Sequence, residues 1–240
     1  MHSYALSDRA SASAVRITPR AAAIDLTIVL GAIGLAWVLT RWVIYPALGI
    51  PDYAPYILRP ITGFLAAWWV LHRRGTSWRD LGLRIPLPLW RALLIAVALY
   101  AVDYAIQTWA VPVLAQWLQP TQRPSFLGHL PGNAIALAFW VTISWLVGGL
   151  CEECLFRGFL LARVEALLGD GAAALALAIL AQAVFFGLLH LYGGSFAFMY
   201  ATLFGVVQGI FYLLAARNLW PLIVVHGLWD SIAFWGVYSS

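Results

Sequence analysis

Leu150-Cys151-Glu152-Glu153-Cys154-Leu155-Phe156-Arg157-Gly158 lies inside one apolar run, Ala134 to Leu168. The chain has only three glutamates, and two of them are adjacent here. A carboxylate in hydrocarbon costs at least about 2–3 kcal/mol, so a pair at that depth needs a partner or a purpose. On a helix Glu153 and Arg157 are four apart and share a face, which suits an ion pair. Glu152 points about 100° away and lacks that partner. Two readings stand. One glutamate is braced and the other is free for chemistry, or both belong to a polar cluster that ties helices together.

Composition sets the surroundings of that run. The chain is 63% hydrophobic, where a soluble domain runs at roughly 45–50%. With a mean hydropathy of +0.85, the expected fold is all-α: a polytopic transmembrane helical bundle of about seven to eight spans. Helices satisfy their own backbone in lipid, and the alternation of a barrel is missing. Thirteen Trp and ten Tyr suit anchoring at membrane interfaces. Membrane lipid is therefore an expected partner. The net charge of +4 comes from arginines scattered through loops, which form no face for nucleic acid. Every one of the 14 basic residues is Arg, a pattern read as genomic bias. Cys151 and Cys154 form C-x-x-C, but on an apolar helix, so they read as small packing residues and not as a redox pair.

Residues 1–20 read as a polar cytoplasmic tail, and 21–240 as a single transmembrane domain. Apolar spans are expected at about 22–40, 53–71, 91–111, from 133 onward, 172–191, 196–216 and 219–238. The first is too long for the core of a signal peptide. Residues 41–53, with Arg41, Pro46 and Pro51, read as a turn, and 112–132, with four prolines, as the longest non-helical segment. Gly169-Asp170-Gly171 ends the glutamate helix. Asp25 is expected to cap or pair, and Asp103 to make a polar contact between helices. With the N-terminus inside, eleven arginines fall on the inner side and three on the outer. That places the N-terminus in the cytoplasm and the chain in a bacterial inner membrane. No internal repeat suggests a transporter.

Two other polar clusters interrupt apolar spans: Phe185-Phe186-Gly187-Leu188-Leu189-His190-Leu191 and Val224-Val225-His226-Gly227-Leu228-Trp229-Asp230-Ser231. His226 and Asp230, four apart, share a helical face. Five or six ionisable groups on three spans are cheaper in one wet cavity than in separate dry sites. There, a carboxylate beside a neutral imidazole can take a proton from water and direct the hydroxide at a carbonyl. A second imidazole could stabilise the oxyanion. A metal site is the alternative, since two His and one or two carboxylates are zinc ligand types. H-E-x-x-H and G-x-S-x-G are both missing.

Glu152-Glu153-x-x-x-Arg157, Phe186-x-x-x-His190 and His226-x-x-x-Asp230 resemble, in order, the three motifs of the CPBP (Abi) family. That family holds the type II CAAX prenyl endopeptidases and bacteriocin-processing enzymes. The match covers roughly 134–238, taken as the catalytic core, and Trp78–Arg84 resembles an upstream loop of such proteins. The resemblance implies an intramembrane endopeptidase acting on a membrane-associated, prenylated or unprenylated polypeptide. Glu152 and His190 would activate water, and Glu153, braced by Arg157, would support the site. His226 and Asp230 would stabilise the oxyanion, and Phe186 would pack below His190. A glutamate mechanism without a cofactor is favoured over zinc or another divalent metal, which would use Glu152, His190 and His226. Many members carry Asn where this chain has Asp230. An ionised Asp has no proton to donate, so Asp230 is protonated, orients His226, or binds a cation.

Competing functions are a non-catalytic CPBP-type membrane scaffold or bacteriocin-immunity protein, and a proton-coupled carrier. One geometric difficulty is evident: by span counting, Glu152 sits near the inner end of its helix and His190 near the outer end of the next. They meet only if the helical hairpin at 169–171 extends beyond the bilayer.

Overall fold

The computed structural model describes residues 17–48, 53–84, 88–120 and 127–240. Most of the expected N-terminal tail, part of the 41–53 turn, Pro86, and Arg123 with Pro124 lie outside the described residues. Among those described, the secondary structure is helical throughout. Seven rods result: α1 Pro19–Ile44, α2 Ala54–Arg73, α3 Leu89–Leu118, α4 Ala134–Leu168, α5 Ala172–Leu188, α6 Gly194–Leu214 and α7 Trp220–Tyr238. Local sequence explains their ends. Thr18 caps α1, its hydroxyl accepting from the Ala21 N–H at 3.2 Å, with Pro19 at the first helical position. Asn133 caps α4, its Oδ1 accepting from Ile135 and Ala136. Gly169 (φ 85°) and Gly171 (φ 126°) make the reversal into α5, a left-handed turn that favours glycine.

Four of these rods, α1, α3, α4 and Leu191–Leu214, which takes in α6, are long and apolar enough to cross a membrane. α5 is apolar but shorter. The expectation of seven or eight spans is thus met in length and composition for four. The remaining expected spans coincide with α2, α5 and α7. Many large apolar side chains face outward, with Trp117, Ile135 and Leu89 among the most exposed, as a lipid-facing surface requires.

Two boundaries depart from the sequence reading. Residues 41–48 were expected as a turn, yet the helix runs on through a π-helical stretch, Leu39–Ile44, and one α-turn, Tyr45–Leu48. Likewise the third helix continues to Leu118 through Pro112. A π-helical stretch, Ile106–Ala110, comes just before that proline. Widening the backbone ladder there accommodates a residue with no N–H to give.

α4 is the central rod, packed against α1, α2, α5 and α7. Gly149 lets α7 come close, since a Cβ there would stand 2.9 Å from the Ile223 carbonyl oxygen. Gly205 does the same for α5 against α6. The Trp78–Arg84 loop is fastened to the α6–α7 turn: Tyr212 Oη donates to Leu81 O at 2.8 Å, and the Leu219 N–H to Gly82 O at 3.0 Å. Trp78 stacks on Phe64 with centroids 4.8 Å apart. Asp25 is paired twice, with Arg74 and Arg163, tying the start of α1 to the end of α2 and to α4.

Candidate active site

α4 departs from α-helical geometry where its acids lie. Ser144–Glu152 and Cys154–Leu160 are π-helical. Such wide turns are frequent at functional sites. The expected Glu153–Arg157 pair forms at 2.9 Å, with both side chains fully buried. Arg157 is enclosed by aromatic rings: its guanidinium lies 4.7 Å from the Phe186 centroid and 5.7 Å from that of Phe204. Glu153 Oε1 is shared, because His226 Nδ1 lies 2.7 Å from the same oxygen. The carboxylate accepts there, so Nδ1 carries the proton and Nε2 faces away from Glu153.

On that other side of the His226 ring stand two more carboxylates. Asp230 Oδ2 is 3.7 Å from Nε2 and Glu152 Oε2 is 3.8 Å. Glu152 differs from its neighbour in one respect: it lines an open cavity. A cavity of about 220 Å³ is walled by Glu152, His190, His226 and Asp230, with Tyr56 and Tyr192 at one side. Glu153, Arg157 and Phe186 stand behind this wall. His190 Nδ1 lies 2.8 Å from Phe186 O. A carbonyl can only accept, so Nδ1 carries the proton and Nε2 keeps its lone pair. Phe186 also touches the ring itself, with centroids 4.6 Å apart.

The motifs at 152, 190 and 226–230 therefore converge. The hairpin at 169–171 explains how: Glu152 lies 17 residues before Gly169 and His190 lies 19 after Gly171. At about 1.5 Å per residue both stand some 25–30 Å from the turn, hence at one level. α4 does run unbroken to Leu168, as that meeting requires.

Residues 134–232 match the model of the Rce1-like family, described as type II CAAX prenyl endopeptidase. That likeness covers 99 of the 240 residues. No curated protein and no solved structure matches the chain. The Rce1-like segment contains all three motifs and supports a protease in general. Together with the apolar helices it fits a membrane protein.

Several cavity residues carried no mark in the sequence. Gly148 is one. A Cβ there would stand 2.7 Å from Asp230 Oδ2 and 3.4 Å from His226 Nε2, so the bare backbone keeps the cavity open. It lies one turn before Glu152, and that spacing was the available signal. Tyr56 comes from α2, outside the Rce1-like segment, and Tyr192 follows His190 by two. Their rings meet at 4.1 Å. Asp103 is buried, but its Oδ2 has no hydrogen-bond partner, so the expected polar contact between helices is not made by that oxygen. Cys151 and Cys154 are free thiols in the packed interior, as their helical context suggested. The metal alternative needs Glu152, His190 and His226 drawn onto one point. Among the described residues, no group of three His, Cys, Asp or Glu is placed to hold a metal ion.

Proposed function

We propose that this chain is an intramembrane endopeptidase that cuts a membrane-associated polypeptide with water activated by Glu152 and His190. The observation that carries the reading is the shared cavity, in which Glu152 and Asp230 face two imidazoles. Glu152 accepts a proton from a water whose other O–H is held by the lone pair of His190 Nε2. The hydroxide adds to the scissile carbonyl carbon, and its π electrons move onto oxygen. Three carboxylates around His226, at 2.7, 3.7 and 3.8 Å, favour a ring that carries both protons. Its Nε2–H then donates to the oxyanion as charge develops there. The protonated Glu152 returns its proton to the leaving nitrogen as the C–N bond breaks.

Asp230 enters as the orienting group for His226. An ionised carboxylate cannot donate to the oxyanion, but it can fix the imidazolium that does. The family description names a CAAX prenyl endopeptidase, so the substrate class proposed is a prenylated polypeptide. By the arginine count the reading includes a bundle of seven spans with its N-terminus in the cytoplasm. No step is routed through a metal.

The test is cleavage of a reporter polypeptide in membranes by the full chain and by Glu152→Gln. Gln is nearly isosteric and takes no proton. Cleavage should vanish while the variant remains folded by near-ultraviolet circular dichroism; cleavage at the wild-type rate would end the water-activation role.

A further inference from the structure

The bundle has two unlike ends, and contacts fasten each end to itself. At one end Arg74 pairs with Asp25, Arg217 pairs with Glu165, and the Leu219 N–H donates to Gly82 O. The start of α1, the close of α2, the α4–α5 turn and the α6–α7 turn therefore lie together. Arg73, Arg79, Arg84 and Arg91 belong to this end as well. At the other end the Gly132 N–H donates to Tyr238 O at 3.0 Å. There the Tyr53 ring meets that of Trp140 at 5.2 Å, and Tyr56 meets Tyr192 at 4.1 Å. Among the described residues this end holds two arginines, Arg41 and Arg59, both of which line a larger cavity of about 560 Å³.

The reaction cavity belongs to the second end. Its lining includes Leu127 of the α3–α4 connection, Tyr56 in the first turn of α2, Tyr192 of the α5–α6 turn and Phe234 near the close of α7. Exposure along α7 falls away from that end: the Asp230 side chain is 38% exposed, His226 4% and Leu222 0%. On α4, past Glu152 toward the arginine end, Leu155, Phe156, Phe159 and Leu161 are fully buried. From 155 to 161 the helix rises about 9 Å, which sets the thickness of this packed layer. Close-packed interiors hold few voids larger than a water molecule. Water and peptide therefore reach Glu152 from the second end.

Arginine marks the cytoplasmic end of a membrane bundle. We infer that the reaction cavity opens on the non-cytoplasmic face, and that its substrate is a polypeptide segment already carried across the membrane. The inference deepens the peptidase reading and rests on it for the substrate; the place of the mouth rests on packing and on the arginine distribution. A translocation step thus supplies the substrate, and cleavage follows export. A cytoplasmic segment would have to cross the packed layer between Glu152 and the arginine turns. Tyr53, Tyr56, Trp140 and Tyr192 gather at the mouth, residue types that favour a membrane–water interface.

One experiment reads the place of the mouth and a second reads cleavage. Single cysteines are introduced at the mouth, by Leu127→Cys and separately by Phe234→Cys, and at the arginine end by Arg79→Cys. The buried Cys151 and Cys154 stay in each full-length chain, and the unsubstituted chain is the blank. A sulfonated maleimide, which does not cross lipid, is added to intact and to permeabilised spheroplasts of a bacterial host. Both mouth cysteines should react in intact spheroplasts, and the cysteine at 79 only after permeabilisation. For cleavage, one reporter polypeptide is anchored by a single span with its cleavage segment either outside or in the cytoplasm. The full chain should cut only the exported form, and Glu152→Gln should cut neither.

Mouth cysteines that react only after permeabilisation, or from the same side as the cysteine at 79, overturn the inference. Cleavage of the cytoplasmic reporter, alone or equally with the exported one, also overturns it and leaves the peptidase standing. Labelling as expected with neither reporter cut upholds the outward mouth and removes the peptidase reading.

Discussion

Asp25 and Glu153 are both buried carboxylates held by arginine, and the contrast between them separates brace from site. Asp25 receives Arg74 Nε on both oxygens at 2.8 Å and Arg163 Nε at 2.9 Å. Both oxygens are engaged, and Arg74 reaches water at the rim. Glu153 instead divides one oxygen between Arg157 and His226. Its Oε2 and the Nε and Nη2 of Arg157 are buried with no hydrogen-bond partner. A purely structural cluster would be completed, because an orphaned buried polar atom costs about 1–3 kcal/mol. The incomplete one positions an imidazole, and its cost is offset by aromatic packing around the guanidinium. Strain of this kind gathers at functional sites.

That contrast can be broken most decisively at Glu152. Glu152→Gln removes the proton acceptor and touches neither ion pair. The expected outcome is a drop in cleavage of at least about 10²–10⁴-fold, the usual contribution of a general base. Its melting temperature in micelles should stay near that of the wild type.

Arg157→Ala should do the opposite, striking the fold as well as the site. It leaves the buried Glu153 carboxylate with His226 as its one remaining partner, with an expected loss of about 3–5 kcal/mol. Reversible SDS unfolding in mixed micelles reads this out. A loss near zero would mean that the Glu153–Arg157 pair is not part of the core.

Asp25→Asn sharpens the other side of the comparison. Arg74 can turn to solvent, while Arg163 stays buried with a weaker acceptor. The expected loss is about 1–3 kcal/mol, measured in the same way, with cleavage per folded molecule retained. Loss of activity without loss of stability would show that the rim brace and the site are coupled.

The smallest effect belongs to the pair between Arg217 and Glu165. It is 2.8 Å long, but its side chains are 39% and 30% exposed. Glu165→Gln should cost no more than about 1 kcal/mol and should lose that effect in high salt.

Much of the helix order was legible because apolar runs in a membrane chain are bounded by glycine, proline and caps. Gly169–Gly171 marked the hairpin, and the glutamate helix was read through to Leu168. Two ends were misjudged for one shared reason. Proline and arginine normally close an apolar helix, but π-helical turns before Pro112 and around Arg41 carry the backbone past them. Such turns leave little trace in periodicity. The polar residues on the apolar spans were legible by rarity alone, since each is expensive in lipid. Gly148 and Arg59 were not. A glycine on a helix has no visible purpose until the carboxylate it makes room for is known, and Arg59 was only one of the three arginines counted on the outer side.

The amino-acid order alone determined that this is a helical chain suited to lipid, and which scarce side chains had to find one another. Spacing of three and four along a helix sufficed for Glu153 with Arg157 and for His226 with Asp230, because those contacts are local. Only the tertiary structure decided that Glu153 serves two partners through one oxygen, that Glu152 and Asp230 are the acids left facing the cavity, and that a second cavity with two arginines adjoins it. Those facts depend on how α2, α4, α5 and α7 cross, and crossing is set by the packing of whole helix faces, which no short motif encodes.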